Sequence, residues 1–248
     1  LLTHPPAAAP LARPCTRGDG VERLAEERHR DLLALFQEAE RAGRLSKFVP
    51  ASGAATRMFQ SLQRALDDAG ATWFDWSDRA AKGDRGAAEV VQLVERLDEL
   101  PFADELRAAA GEETWSDPRG RLGDLLGALL LPSGLGLGSR PKGLVPFHVE
   151  EEGARTPFEE HLVEAALTVR AASGRTAVHF TVAEEARASF EALLERHRPD
   201  LERRLHARFD VTFSVQERAT DTLAVGLDGE PFRTAEGELL FRPGGHGA

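Results

Sequence analysis

Two short segments combine residue types suited to holding phosphate. Ala51-Ser52-Gly53-Ala54-Ala55 places small residues in succession, and Thr56 and Arg57 add a hydroxyl and a planar cationic fork. Small side chains let a ligand approach the backbone, and a helix N-terminus offers unpaired N–H groups with a positive dipole end. The apolar run Lys47-Phe48-Val49-Pro50 before this segment and the helical pattern over 58–69 after it, closed by Gly70, predict strand, tight turn and helix. A turn of small residues also arises from packing alone in α/β folds.

The second segment is Pro141-Lys142-Gly143, between a glycine-rich stretch and a predicted strand over 144–149. That places the Lys142 ammonium in a loop beside the carboxyl edge of a sheet, where it could neutralise phosphate charge. The alternative is a solvated loop lysine. Other residues read more simply. Glu150-Glu151-Glu152 before Gly153 reads as a solvated acidic loop, with a cation site as the alternative, and His161 and His179 fall in a predicted helix and strand as packed or surface residues. Asp221, between Thr220 and Thr222, suits a turn or strand start, with a site role as the alternative. No Ser-His-Asp or Cys-His arrangement stands out.

The elements that must position these residues follow from periodicity and punctuation. An amphipathic helix is expected over 19–42, with Gly43 as its stop. Charged helical segments over 87–100, 102–110 and 121–131 make residues 73–138 an expected helical insertion. Thr156-Pro157-Phe158-Glu159 fits an N-cap, first turn and capping box for a helix from 157 to about 172. A strand over 177–182 leads into a second capping-box pattern, Thr181-Val182-Ala183-Glu184, and a helix ending near His197. A strand over 209–215 and a hairpin within 222–240, turning at Asp228-Gly229, complete the order. Alternating strands and helices predict an α/β fold: a mainly parallel, Rossmann-like sheet with ligands at the carboxyl ends of its strands.

Composition sets outer bounds. The 248 residues are 42% hydrophobic with a formal net charge of −10, which suits a substantial core and argues against a nucleic-acid partner. No apolar run is long enough for a membrane span, and the single cysteine, Cys15, cannot form an internal disulfide; a cytoplasmic protein is expected. Residues 1–18 read as a flexible arm and 19–248 as the α/β domain. The lone methionine, Met58, leads to the expectation of a piece of a longer chain, and the closing glycine loop to that of a domain incomplete at its C-terminus.

The segment from Ala51 to Met58 looks like the signature loop of sugar nucleotidyltransferases, and Pro141-Lys142-Gly143-Leu144 looks like its Pro–Lys partner. More closely, the chain resembles the bacterial family called domain of unknown function 4301, and more distantly the UDP-N-acetylhexosamine pyrophosphorylases. The resemblance runs from about Lys47 to Ala248 and includes Arg155-Thr156-Pro157-Phe158-Glu159-Glu160-His161, Phe180-Thr181-Val182, Phe213-Ser214-Val215-Gln216-Glu217 and Phe241-Arg242-Pro243-Gly244-Gly245-His246-Gly247-Ala248. It implies a sheet of the nucleotidyltransferase, glycosyltransferase-A-like type. It also implies that the backbone of Ala51, Ser52 and Gly53, with Thr56, approaches a nucleotide, while Arg57 and Lys142 hold its phosphates as the catalytic cations. Gln216 matches a glutamine that reads a uracil edge, Gly244 and Gly245 a later loop at the base, and His246 stands in the place of a sugar-facing asparagine.

Ala55 stands where the signature has glycine, and the helical block separates motifs that sit close together in the relatives. The resemblance implies Mg²⁺ as cofactor, with its aspartate ligand expected beyond Ala248, and a nucleoside triphosphate or nucleotide sugar and a sugar phosphate as partners. The expected function is nucleotide binding within a sugar-phosphate nucleotidyltransferase; the alternative is a nucleotide-sensing or interaction domain without turnover.

Overall fold

A computed structural model describes residues 12–242 apart from Thr56, Ala69, Glu152, Arg218, Thr220 and Leu227. The chain opens with two short strands, β1 (Thr16–Arg17) and β2 (Gly20–Val21), joined by a turn in which the Gly18 N–H donates to the Val21 carbonyl at 2.9 Å. Gly18 and Gly20 take positive φ there, so the helix expected from residue 19 starts later, as α1 (Glu26–Arg41). No α1 residue is buried, and its apolar side, including Leu35 and Phe36, faces solvent.

The main sheet is parallel and has three strands in the order β3 (Lys47–Pro50), β6 (Arg175–Val182), β7 (Arg208–Val215). Along β6, Thr176, Val178, Phe180 and Val182 are buried while the intervening residues are more exposed, the period of two that a strand imposes. The buried side meets α8 (Pro157–Thr168) and α9 (Arg187–Leu205), where Phe158, Phe180, Phe190 and Phe213 form an aromatic cluster. Full burial of such rings stabilises by roughly 1.5–3 kcal/mol each. On the opposite side Phe48 stacks on His179, whose two ring nitrogens reach the hydroxyls of Thr212 and Ser214 at 2.8 Å each.

A second core lies between β3 and β6 in the chain. It is built by α2 (Gln60–Asp67), α3 (Trp73–Ala81), α4 (Arg85–Glu95), α5 (Ala103–Ala110), α6 (Glu112–Ser116) and α7 (Leu122–Leu130). The central helix is α7, whose Leu125, Leu126 and Leu129 are fully buried. Because α2 packs into the same core through Leu62 and Ala65, the helical unit begins ahead of Trp73.

Three further expectations are corrected. The strand expected over 144–149 is instead a 3₁₀ turn at Lys142–Leu144, then an antiparallel hairpin of β4 (His148–Glu150) and β5 (Gly153–Arg155) outside the main sheet. Pro146 has no N–H for a ladder, and Gly153 at φ 118° reverses the chain. The helix expected to end near His197 continues through Pro199 to Leu205, held by buried Leu194 and Leu201. The second capping box is absent: Thr181 belongs to β6 and its hydroxyl meets that of Ser214 at 3.0 Å. The first is present, with Glu159 accepting from the N–H and hydroxyl of Thr156 at 2.9 and 2.8 Å. The last hairpin joins β8 (Thr222–Leu223) to β9 (Phe241–Arg242), with Gly229 at positive φ in the inner turn.

Candidate functional site

All three parallel strands end at one edge. There the chain continues as Ala51-Ser52-Gly53 after β3, Ala183-Glu184 after β6 and Gln216 after β7. Backbone bonds tie these segments to the sheet: the Ala51 N–H donates to the Thr181 carbonyl at 2.7 Å and the Gln216 N–H to the Val182 carbonyl at 3.0 Å. A cleft of about 1210 Å³ opens at this edge, between the sheet core and the helical core.

The two segments singled out in the sequence are joined in space. The Lys142 N–H donates to the Gly53 carbonyl at 2.9 Å and the Ala55 N–H to the Arg140 carbonyl at 3.2 Å, with Ala54 bridged to Pro141. The intervening helices thus bring the Pro–Lys segment back alongside the small-residue turn. Gly143 permits the close approach that follows, since a Cβ there would meet the buried Phe190 ring at 3.0 Å. Ala55 is fully buried in the helical core. The one non-glycine at positive φ among the described residues is His206, so the Ala55 backbone does not use the freedom a glycine would bring.

The expected site residues divide. Ser52, Arg57 and Gln216 line the cleft, together with Ala54, Pro141 and Asp221. Ala51 and Gly53 belong to the turn outside the lining, as does Lys142, which is exposed next to the lining residue Pro141. Thr56, Gly244, Gly245 and His246 lie outside the described residues. Among the described residues, the N–H groups of Ser52, Gly53 and Ala54 have no hydrogen-bond partner, and Arg57 has no ion-pair partner. Unpaired turn amides beside a free guanidinium are what an anionic group needs.

Sequence reasoning missed Arg140, which lines the cleft and whose Nη2 donates to the Leu135 carbonyl at 2.8 Å, and the carboxylates of Glu184 and Glu185. Adjacency to Pro141 was the available signal for Arg140; Glu184 was read only as a capping-box residue, and nothing local marked Glu185. The lining therefore carries cations at Arg57 and Arg140 and carboxylates at Glu184, Glu185 and Asp221. Gly134 and Gly136 form its helical side; a Cβ on Gly134 would fall 2.0 Å from the Ala128 carbonyl oxygen.

Two further features bear on chemistry. His161 sits beside Glu164, which Lys47 also contacts; burial first, then the Lys47 charge, lowers the imidazole pKa from its ordinary value. No helix among the described residues is long and apolar enough to cross a membrane. No curated protein and no solved structure matches the chain. The family model described as Domain of unknown function (DUF4301) matches residues 3–248, and the chain belongs to that family.

Proposed function

We propose that the cleft binds a nucleoside triphosphate or nucleotide sugar, within a fold of the sugar-nucleotidyltransferase type whose complete form transfers a nucleotidyl group to a sugar phosphate. One observation carries this reading: Ser52, Arg57 and Gln216 line a single cleft, beside the turn to which the Pro–Lys segment is bonded. The free N–H groups of the turn and the Arg57 fork would hold phosphate oxygens. The Gln216 amide, which carries both a donor and an acceptor, would pair with the imide edge of uracil. Positioning and charge stabilisation are then the contributions of this chain.

The cleft carboxylates fit Mg²⁺ by chemistry, since that ion takes oxygen ligands and is commonly held by one or two carboxylates together with substrate phosphates. Glu184, Glu185 and Asp221 are the residues that could hold it, and its role when bound would be to neutralise phosphate charge. A second reading, a nucleotide sensor without turnover, is favoured by one observation: Lys142 stands outside the lining.

Calorimetric titration with UTP, GTP and ATP in Mg²⁺, together with pyrophosphate exchange across a panel of sugar phosphates, tests both. Selective UTP binding, weakened in Arg57→Ala and relaxed in base preference in Gln216→Ala, is expected. Exchange activity separates the enzyme from the sensor. Absence of binding by any nucleotide removes the proposal.

A further inference from the structure

The hairpin β4–β5 and the first turn of α8 gather His148, Glu150 and Glu160, three side chains whose ligand atoms lie within 4.8 Å of one another. His148 and Glu150 are two residues apart on β4 and share a face of the strand, while Glu160 is fixed by the capped start of α8. The imidazole Nε2 is 3.1 Å from Glu150 Oε1 and 3.4 Å from Glu160 Oε1. A tetrahedral zinc ion with ligands at ~2.0–2.1 Å holds pairs of donor atoms ~3.3 Å apart, and both separations from the imidazole Nε2 are compatible with that spacing.

The charges point the same way. One ring nitrogen carries at most one proton and cannot satisfy two carboxylates from one position. A single cation between the three atoms would serve both. Arg155, opposite His148 in the hairpin, already reaches Glu160 Oε1 at 3.0 Å and is the protein's own competing cation. Phe147 packs its ring edge-on against the imidazole at 4.2 Å, which restricts the ring's orientation.

We infer that His148, Glu150 and Glu160 form a binding site for a divalent transition metal of the zinc type, apart from the cleft. One imidazole with two carboxylates selects such an ion over Mg²⁺ or Ca²⁺, which prefer oxygen ligands alone. Three protein ligands leave a fourth position open to water or another donor.

The test is titration of metal-stripped protein with ZnCl₂ and MgCl₂ by calorimetry, with Co²⁺ absorption as a readout of tetrahedral coordination. One Zn²⁺ per chain, no comparable Mg²⁺ affinity at this site and an intense Co²⁺ visible band are expected. In His148→Ala the affinity should fall by more than the roughly 10–100-fold that loss of an outer-shell partner costs, and the band should be lost. Glu150→Gln, in an exposed hairpin where folding is not at stake, should weaken both. Absence of stoichiometric Zn²⁺ binding, or binding unchanged in either variant, overturns the site.

Discussion

The backbone N–H of Lys142 donates to the carbonyl of Gly53 at 2.9 Å, so the small-residue turn and the Pro–Lys segment form one unit. The next residue makes the bond possible. Gly143 lies where an added Cβ would meet Phe190 at 3.0 Å, and that ring is fully buried. Gly143→Ala should therefore destabilise by about 1–3 kcal/mol through overpacking, read as a lower urea midpoint with an unchanged slope. An unchanged midpoint would mean that the ring can yield.

Arg57 and Lys142 are both cations, yet only Arg57 lines the cleft. Arg57→Ala should weaken nucleotide binding by about 10–100-fold, the scale of hydrogen bonds to charged groups. Lys142→Ala should cost no more than about fivefold, as for a solvent-screened surface charge. Equal losses in the two titrations would place Lys142 at the phosphates after all.

The start of α8 rests on Thr156, whose hydroxyl caps the helix and donates to the carboxylate of buried Glu159. The other oxygen of Glu159 faces His197 Nδ1 of α9 at 3.0 Å. Thr156→Ala should cost about 0.5–2 kcal/mol, and Thr156→Ser should recover most of it. Urea unfolding of both variants checks this, and a failure of serine to rescue would assign the loss to the methyl group.

His161 and Glu164 make stability fall in acid. Burial and the Lys47 ammonium lower the folded-state imidazole pKa from 6.5, so the unfolded chain takes up its proton first as pH drops. The contribution of His161 is present above 6.5 and is lost as pH falls through the lower folded-state value. Glu164, lowered from 4.5 chiefly by its bond to Lys47, loses its contribution in a more acidic window by the same rule. Urea midpoints between about pH 7.5 and 5.5 should decline, and the decline should flatten in His161→Gln. An identical slope in that variant would assign the acid sensitivity to other groups.

Local chemistry determined the elements themselves. The alternating residues of β6, the Thr156–Glu159 capping pair and the Asp228-Gly229 turn are each legible because a few neighbouring residues fix backbone geometry whatever surrounds them. Where the outcome hung on distant packing, sequence reading failed. The helix expected to end near His197 runs on through Pro199 because Leu194 and Leu201 bury on either side of it, and the apolar run after Lys142 became a turn and a hairpin instead of a sheet strand. Residue types pointed to Ser52 and Arg57 and the family resemblance to Gln216, but only the fold sets them in one cleft, adds Arg140 and excludes Lys142 from the lining. The pairing of His148 and Glu150 with Glu160 was likewise invisible. Side-chain proximity across elements depends on how two hydrophobic cores and a hairpin pack, and no local spacing encodes that.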